Sequence, residues 1–139
     1  MVCSSTLSVS GWDPAAKEAI YESADESAIS SELNGGRSGS AILQEAFGER
    51  KQSIVHTIPF STAEATAIAE ARYREKARQF VMGTGVADGD PQIRVGAILE
   101  LSQLGSLFDG EYYVVRTCHT ISIEQGYQTE FDVERASIN

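Results

Sequence analysis

The stretch YYVVRTCHTISIEQGYQTEFDVER, residues 112–135, decides the fold class of this chain. Its last part alternates. Tyr127, Thr129, Phe131 and Val133 fall on one face of an extended strand, and Gln128, Glu130, Asp132 and Glu134 on the other. Its first part is a long extended run, and the two are joined by Glu124-Gln125-Gly126. Two alternating runs around a short glycine-bearing reversal predict a β-hairpin. The same period of two disposes of the adjacent Cys118 and His119. Neighbouring strand residues point to opposite faces, so thiol and imidazole cannot hydrogen-bond as a nucleophile and base must. His119 shares its parity with Val115, Ile121 and Ile123, which predicts a core-facing histidine with one satisfied nitrogen.

Upstream, IRVGAILEL (93–101) places Ile93, Val95, Ala97, Leu99 and Leu101 on one face of a further strand. LGSLFDGEYY (104–113) reads as a loop with an Asp109-Gly110 turn. The clearest helix opens at Ser61, which has capping-box spacing to Glu64. Ala65, Ile68, Ala69, Tyr73, Ala77 and Phe80 form its apolar stripe, and Glu70 and Arg74 are spaced as an i,i+4 pair. Gly83 and Gly85 read as its stop. QSIVHTIPF (52–60) is a strand closed by Pro59, and CSSTLSVSGW (3–12) another, with Cys3, Leu7 and Val9 on one face. Asp13 and Pro14 suit a helical turn, residues 20–30 alternate only weakly, and LNGGRSGS (33–40) has loop composition. A short helix over 40–48 is capped by Ser40, shows Ile42, Leu43, Ala46 and Phe47 on one face, and stops at Gly48.

The sum is a mainly β (α+β) fold: an antiparallel β-barrel with one long and one short helix packed on it. With 139 residues the expectation is one domain over 1–139. The opening in mid-strand at Met1 reads as the start of a piece cut from a longer parent. The two cysteines, Cys3 and Cys118, read as free thiols rather than a disulfide.

The charge balance, 11 Lys+Arg against 20 Asp+Glu for a net −9, disfavours a phosphate-backbone binder and an anionic membrane surface. No apolar run approaches the roughly 20 residues that span a bilayer. Zinc needs three or four converging ligands, and the chain has two cysteines, two histidines and no CxxC or HxxxH spacing. GTGVADGD (83–90) has phosphate-loop glycines without the lysine or the strand-to-helix order, and Asp88 and Asp90 lack the remaining ligands of a calcium loop. Acidic pairs are too many to single one out. No catalytic, cofactor-binding or metal-ligating residue is predicted.

Four segments in this order carry a family resemblance: VSGWDPAAKEAI (9–20), AEARYREKARQFVMGTGVADGDPQIRVGAILELSQLG (69–105), FDGEYYVVRTCHTI (108–121) and GYQTEFDVER (126–135). Together they resemble the C-terminal barrel region of the phage late control D family, the tail-hub group that includes VgrG-like spike proteins of contractile injection systems. The resemblance implies a non-enzymatic baseplate-hub component linking tube and spike. The full-length protein would be a homotrimer, its partners the tail tube, spike and baseplate proteins. It would be made in the cytoplasm and carried in a virion tail or secreted phage-like particle. Cargo would pass a channel, without specific nucleic-acid binding or membrane insertion; Glu130, Asp132 and Glu134 share one strand face, read either as the solvated outside of the barrel or as the lining of that channel. Gly11, Trp12, Asp90, Pro91, Gly110 and Gly126 are the structural positions singled out. Two alternatives stand beside it: a small β-barrel module holding a peptide or effector on an aromatic patch of Tyr112, Tyr113 and Tyr127, and a hydrolase built on His56, His119 and a carboxylate.

Overall fold

The hairpin at the end of the chain forms the middle of the largest sheet. β7 (Gly110–Ser122) and β8 (Gly126–Arg135) pair antiparallel across a three-residue turn. Gly126 closes that turn at φ 72, a left-handed conformation that costs a residue with a β-carbon far more than glycine. The computed structural model describes residues 4–139. In chain order the other elements are β1 (Thr6–Asp13), β2 (Glu18–Ala24), a 3-10 helix (Glu26–Glu32), β3 (Arg37–Ser38), α1 (Gly39–Phe47), β4 (Lys51–Ile54), α2 (Thr62–Arg78), β5 (Val81–Asp88), β6 (Ile98–Leu101) and β9 (Ser137–Ile138).

The fold is mainly β, of α+β type, but the expected barrel is not formed. Among the described residues the strands make three sheets, ordered β2-β1-β4, β3-β9 and β5-β8-β7-β6. The reason is visible in the packing. The first sheet buries one face against α2, and the four-stranded sheet curls over a separate core, so neither needs the other's edge strands. Leu7, Val9, Ile20, Ile29, Ala65, Ala69 and Tyr73 make the first core, and Ile93, Tyr112, Val114, Phe131 and Val133 the second.

α2 is built as its sequence demands. Ser61 accepts a hydrogen bond from the Glu64 amide at 3.2 Å, while the Glu64 carboxylate reaches back to the Phe60 amide at 2.9 Å. Ala65, Ala69 and Tyr73 are its buried stripe. The expected Glu70–Arg74 pair is not the one Arg74 makes. Its guanidinium crosses to the Ala28 carbonyl at 3.1 Å and to Glu32 at 3.7 Å. α1 is capped by Ser38, which accepts from the Ala41 amide, and not by Ser40; the latter is buried and accepts from the Tyr73 hydroxyl at 3.0 Å. Phe47 is exposed.

Several strands differ from expectation. The start of the weakly patterned 20–30 stretch belongs to β2, because Asp13 caps a turn through the amides of Ala15 and Ala16 and returns the chain along β1. The run 52–60 is strand only to Ile54, where β4 pairs in parallel with β1. Ile93 and Val95 precede β6 in turns, with Val95 exposed. Gly83 and Gly85 do not stop α2, which ends at Arg78; they lie within β5. There the missing side chain has a use: a β-carbon on Gly85 would stand 2.5 Å from the Phe131 ring, which lies across it. Cys3 lies outside the described residues, so its place on the strand face is not assigned.

Candidate functional site

The hairpin strands carry a bulge between Val114 and Arg116. Before it Tyr112 and Val114 face the core; after it the inward face passes to Thr117 and His119, which oppose Phe131 and Thr129. Cys118 sits on the other face opposite Glu130, exposed. His119 is on the core side of the sheet yet exposed, because the hairpin runs past the end of the second core; Ile121 and Ile123 at its tip are exposed too. Both its nitrogens have partners, Nε2 with the Ile93 carbonyl at 3.1 Å and Nδ1 with the hydroxyls of Tyr127 and Thr129 at 3.0 Å.

His56 does not approach it. That histidine lines an open groove on the first half of the molecule with Gln52, Arg72, Lys76 and Gln79. The three tyrosines do not form one patch either: Tyr112 is buried, Tyr113 lies at the joint between the two cores, and Tyr127 stands beside His119. Asp90 and Pro91 form a turn in which the Asp90 carboxylate accepts from the Gln92 amide at 2.8 Å. Gly11 lies flush against Pro59, while Trp12 next to it is half exposed. Gly110 passes so close to Arg135 that a β-carbon would meet its guanidinium at 3.1 Å. Among the described residues no group of three His, Cys, Asp or Glu is arranged to hold a metal ion.

What the fold does bring together is a groove at the joint of the two halves, of about 250 Å³, with charged side chains set in a largely apolar lining. Glu32 from the end of the 3-10 helix, Arg78 from the end of α2, Glu111 and Tyr113 from β7, and Glu134 and Arg135 from β8 line it. Arg78 grips Glu32 with two bonds of 2.8 Å, a planar fork on a planar carboxylate, and its guanidinium lies 3.9 Å above the Tyr113 ring. The hydrogen bonds to Glu32 hold Arg78 above its already high range. Glu111 accepts from the Asn34 side-chain Nδ2 at 2.5 Å. Arg135, only 6% exposed, donates to the Asp109 carbonyl at 2.9 Å and to Asn139 at 2.6 Å.

Glu134 is the unusual member. Burial pushes its carboxyl above the ordinary glutamate range, Arg78 pulls it back, and Glu75 adds to the rise. Its companions in the expected acidic row lie elsewhere: Asp132 pairs with Arg116 at 2.5 Å and Glu130 is exposed. The row is not a uniform lining. Sequence reasoning missed the groove because its residues come from four elements far apart in the chain.

The class defined by these features is a mainly β domain with two cores and an arginine–glutamate groove between them. Residues 3–123 match the family described as the Alg8 N-terminal domain, and the chain belongs to that family. The match takes in Glu32, Arg78, Glu111 and Tyr113, and ends before β8. No curated protein matches the chain. This membership overturns the tail-hub reading, and with it the baseplate role, the homotrimer, the tube and spike partners, cargo passage, the virion or particle location and the non-enzymatic assignment. The effector-binding alternative gains no support from it.

Proposed function

We propose that the chain serves a glycosyltransferase-related function as an Alg8-type N-terminal domain, and that the joint groove holds a saccharide unit. The family supports the first part, since Alg8 is a glycosyltransferase family. The observation that carries the second is the grouping of Glu111, Glu134 and the Arg78–Glu32 fork in one concave site. Sugar hydroxyls both donate and accept, and such a site offers both: carboxylates that accept, guanidinium edges that donate, and in Glu134 an acid that binds its proton more tightly than usual. Glu134 is also the side chain placed to take a proton from an acceptor hydroxyl, should transfer occur here. The lining sets three carboxylates, Glu32, Glu111 and Glu134, against two guanidiniums, Arg78 and Arg135, and this excess of one negative charge suits a neutral saccharide better than an anionic one. The Alg8 setting points to work at a membrane; no helix of the described residues is long and apolar enough to cross one.

The test is titration of the chain with neutral and with acidic oligosaccharides, read by amide shifts. Neutral sugars should move the signals of Glu111, Tyr113 and Glu134, and Glu134→Gln should weaken binding about tenfold. Absence of any shift at these residues with every sugar would defeat the groove assignment and leave the family untouched.

A further inference from the structure

A sheet edge is a row of unpaired amides and carbonyls, and proteins blunt such edges with shortness, charge, proline or a bulge. Five of the edge strands here are blunted. β3 and β9 have two residues each, β4 is short and opens on Lys51, and β6 is short and carries Glu100. β2 carries Glu18 and Glu22. β5 is different. Its eight residues, VMGTGVAD, carry a charge only at the last, Asp88, contain no proline, pair with β8 without a bulge, and pair with no strand on the other side among the described residues.

The direction of its free groups follows from one bond. The Gly89 amide donates to the Tyr127 carbonyl at 2.9 Å, one step beyond the Asp88–Gln128 pair. Backbone groups alternate in direction along an antiparallel strand. Gly83, Gly85 and Ala87 therefore face β8, while Met82, Thr84 and Val86 aim their N–H and C=O groups at the open edge. The side chains of those three are exposed.

We infer that this edge is an interface for a second copy of the chain, docked with its own β5 antiparallel about a twofold axis through Thr84. In that register Thr84 faces Thr84 of the other copy, and Met82 faces Val86 twice. Each of these residues exchanges both its backbone bonds, and apolar meets apolar on one face. Sliding by one repeat would set Met82 against Asp88 and Thr84 against Val86, so the side-chain pattern selects the first register. Charge does not forbid it. Glu130, Asp132 and Glu134 lie one strand in from the edge, so the opposing acids, Asp132 with Asp132 and Glu130 with Glu134, are about 14 Å apart across three strand spacings. That exceeds the Debye length of about 8 Å at physiological salt. Asp132 is in any case paired with Arg116. The interface is one strand wide, well below the size of a standard stable interface, so the dimer forms weakly and tightens as salt screens the net −9 of each copy.

Sedimentation equilibrium on the 139-residue chain, with amide hydrogen exchange over a concentration series, tests this. The chain should dimerise with rising concentration, and the amides of Met82, Thr84 and Val86 should gain protection as it does. Thr84→Pro removes an N–H that faces only the open edge, so the β5–β8 ladder survives and association should fall by about tenfold or more. If that variant fails to fold, Met82→Lys, which sets a cation against the second copy's Val86, should weaken association to the same degree. A chain that stays monomeric at millimolar concentration, a folded variant that dimerises undiminished, or protection arising elsewhere would overturn the proposal.

Discussion

The two cores of this molecule are stabilised in different ways. The first is a helix on a mixed sheet: α2 lays small residues, Ala65 and Ala69, against β1 and β2, and its ends are fixed by a capping box and by Arg74 and Arg78 reaching back to Glu32. The second has no helix in it. Its four strands bury Tyr112, Val114, Phe131 and Val133 beneath the curl of their own sheet, and Gly85 on β5 makes room for the Phe131 ring. The helix-covered core is stabilised by close packing of small side chains. The sheet core depends on shape matching across strands. They are fastened by the chain's end, where Ala136 enters the first core and Ser137 pairs with Ser38.

The largest effect should come from the first core. Leu7→Ala removes a fully buried side chain and should cost about 2–5 kcal/mol in urea unfolding. If the fastening makes the halves one cooperative unit, amides of β7 and β8 should lose protection in parallel with those of α2. Persistent protection of β7 and β8 would break the molecule into two separately folding units.

Next in size, a pair of substitutions on β5 sharpens the account of the second core. Gly85→Ala drives a β-carbon into the Phe131 ring and should destabilise by about 1–3 kcal/mol. Gly83→Ala, with only an ordinary 3.5 Å contact to Val133, should be neutral or gain about 0.4–1 kcal/mol by restricting the unfolded chain. Equal losses at both sites in thermal unfolding would mean that strand propensity, and not the ring, sets the requirement.

At the joint, Arg78→Met breaks a fork whose partners are each about a quarter exposed, and the loss should be roughly 1–2 kcal/mol, between surface and buried pairs. In a double-mutant cycle with Glu32→Gln the two losses should fall short of additive. Additive losses would remove Glu32 as the partner that matters.

The smallest effect belongs to the 3-10 helix. Asp25 caps it through Ser27, and those hydrogen bonds hold its carboxyl below the usual range. Its contribution is therefore present above the ordinary aspartate pKa and is lost as pH falls through the lowered value. Asp25→Ala should cost about 1 kcal/mol at neutral pH and nothing in strong acid. A loss that stayed constant with pH would show that the cap acts by shape alone.

Local patterns were legible where a residue's nearest neighbours in sequence decide its conformation. The alternation of 126–135, the turn at Gly126, the opposed faces of Cys118 and His119, and the Ser61–Glu64 cap are all of this kind. So was the mainly β class. What failed was long-range. Gly83 and Gly85 look like a helix stop until β5 is seen pairing with β8, where Phe131, distant in sequence, lies over Gly85. β2 has little pattern of its own and is a strand because β1 is its neighbour. The four segments that suggested a tail hub consist of helix ends, glycine turns and alternating strands, which any antiparallel domain needs in some order, so their succession could mimic a family it does not share. The joint groove was legible least. Arg78, Glu32, Glu111 and Glu134 carry no local signal, and only the meeting of two separately packed cores makes them one site, since opposite charges far apart in sequence find each other by folding alone.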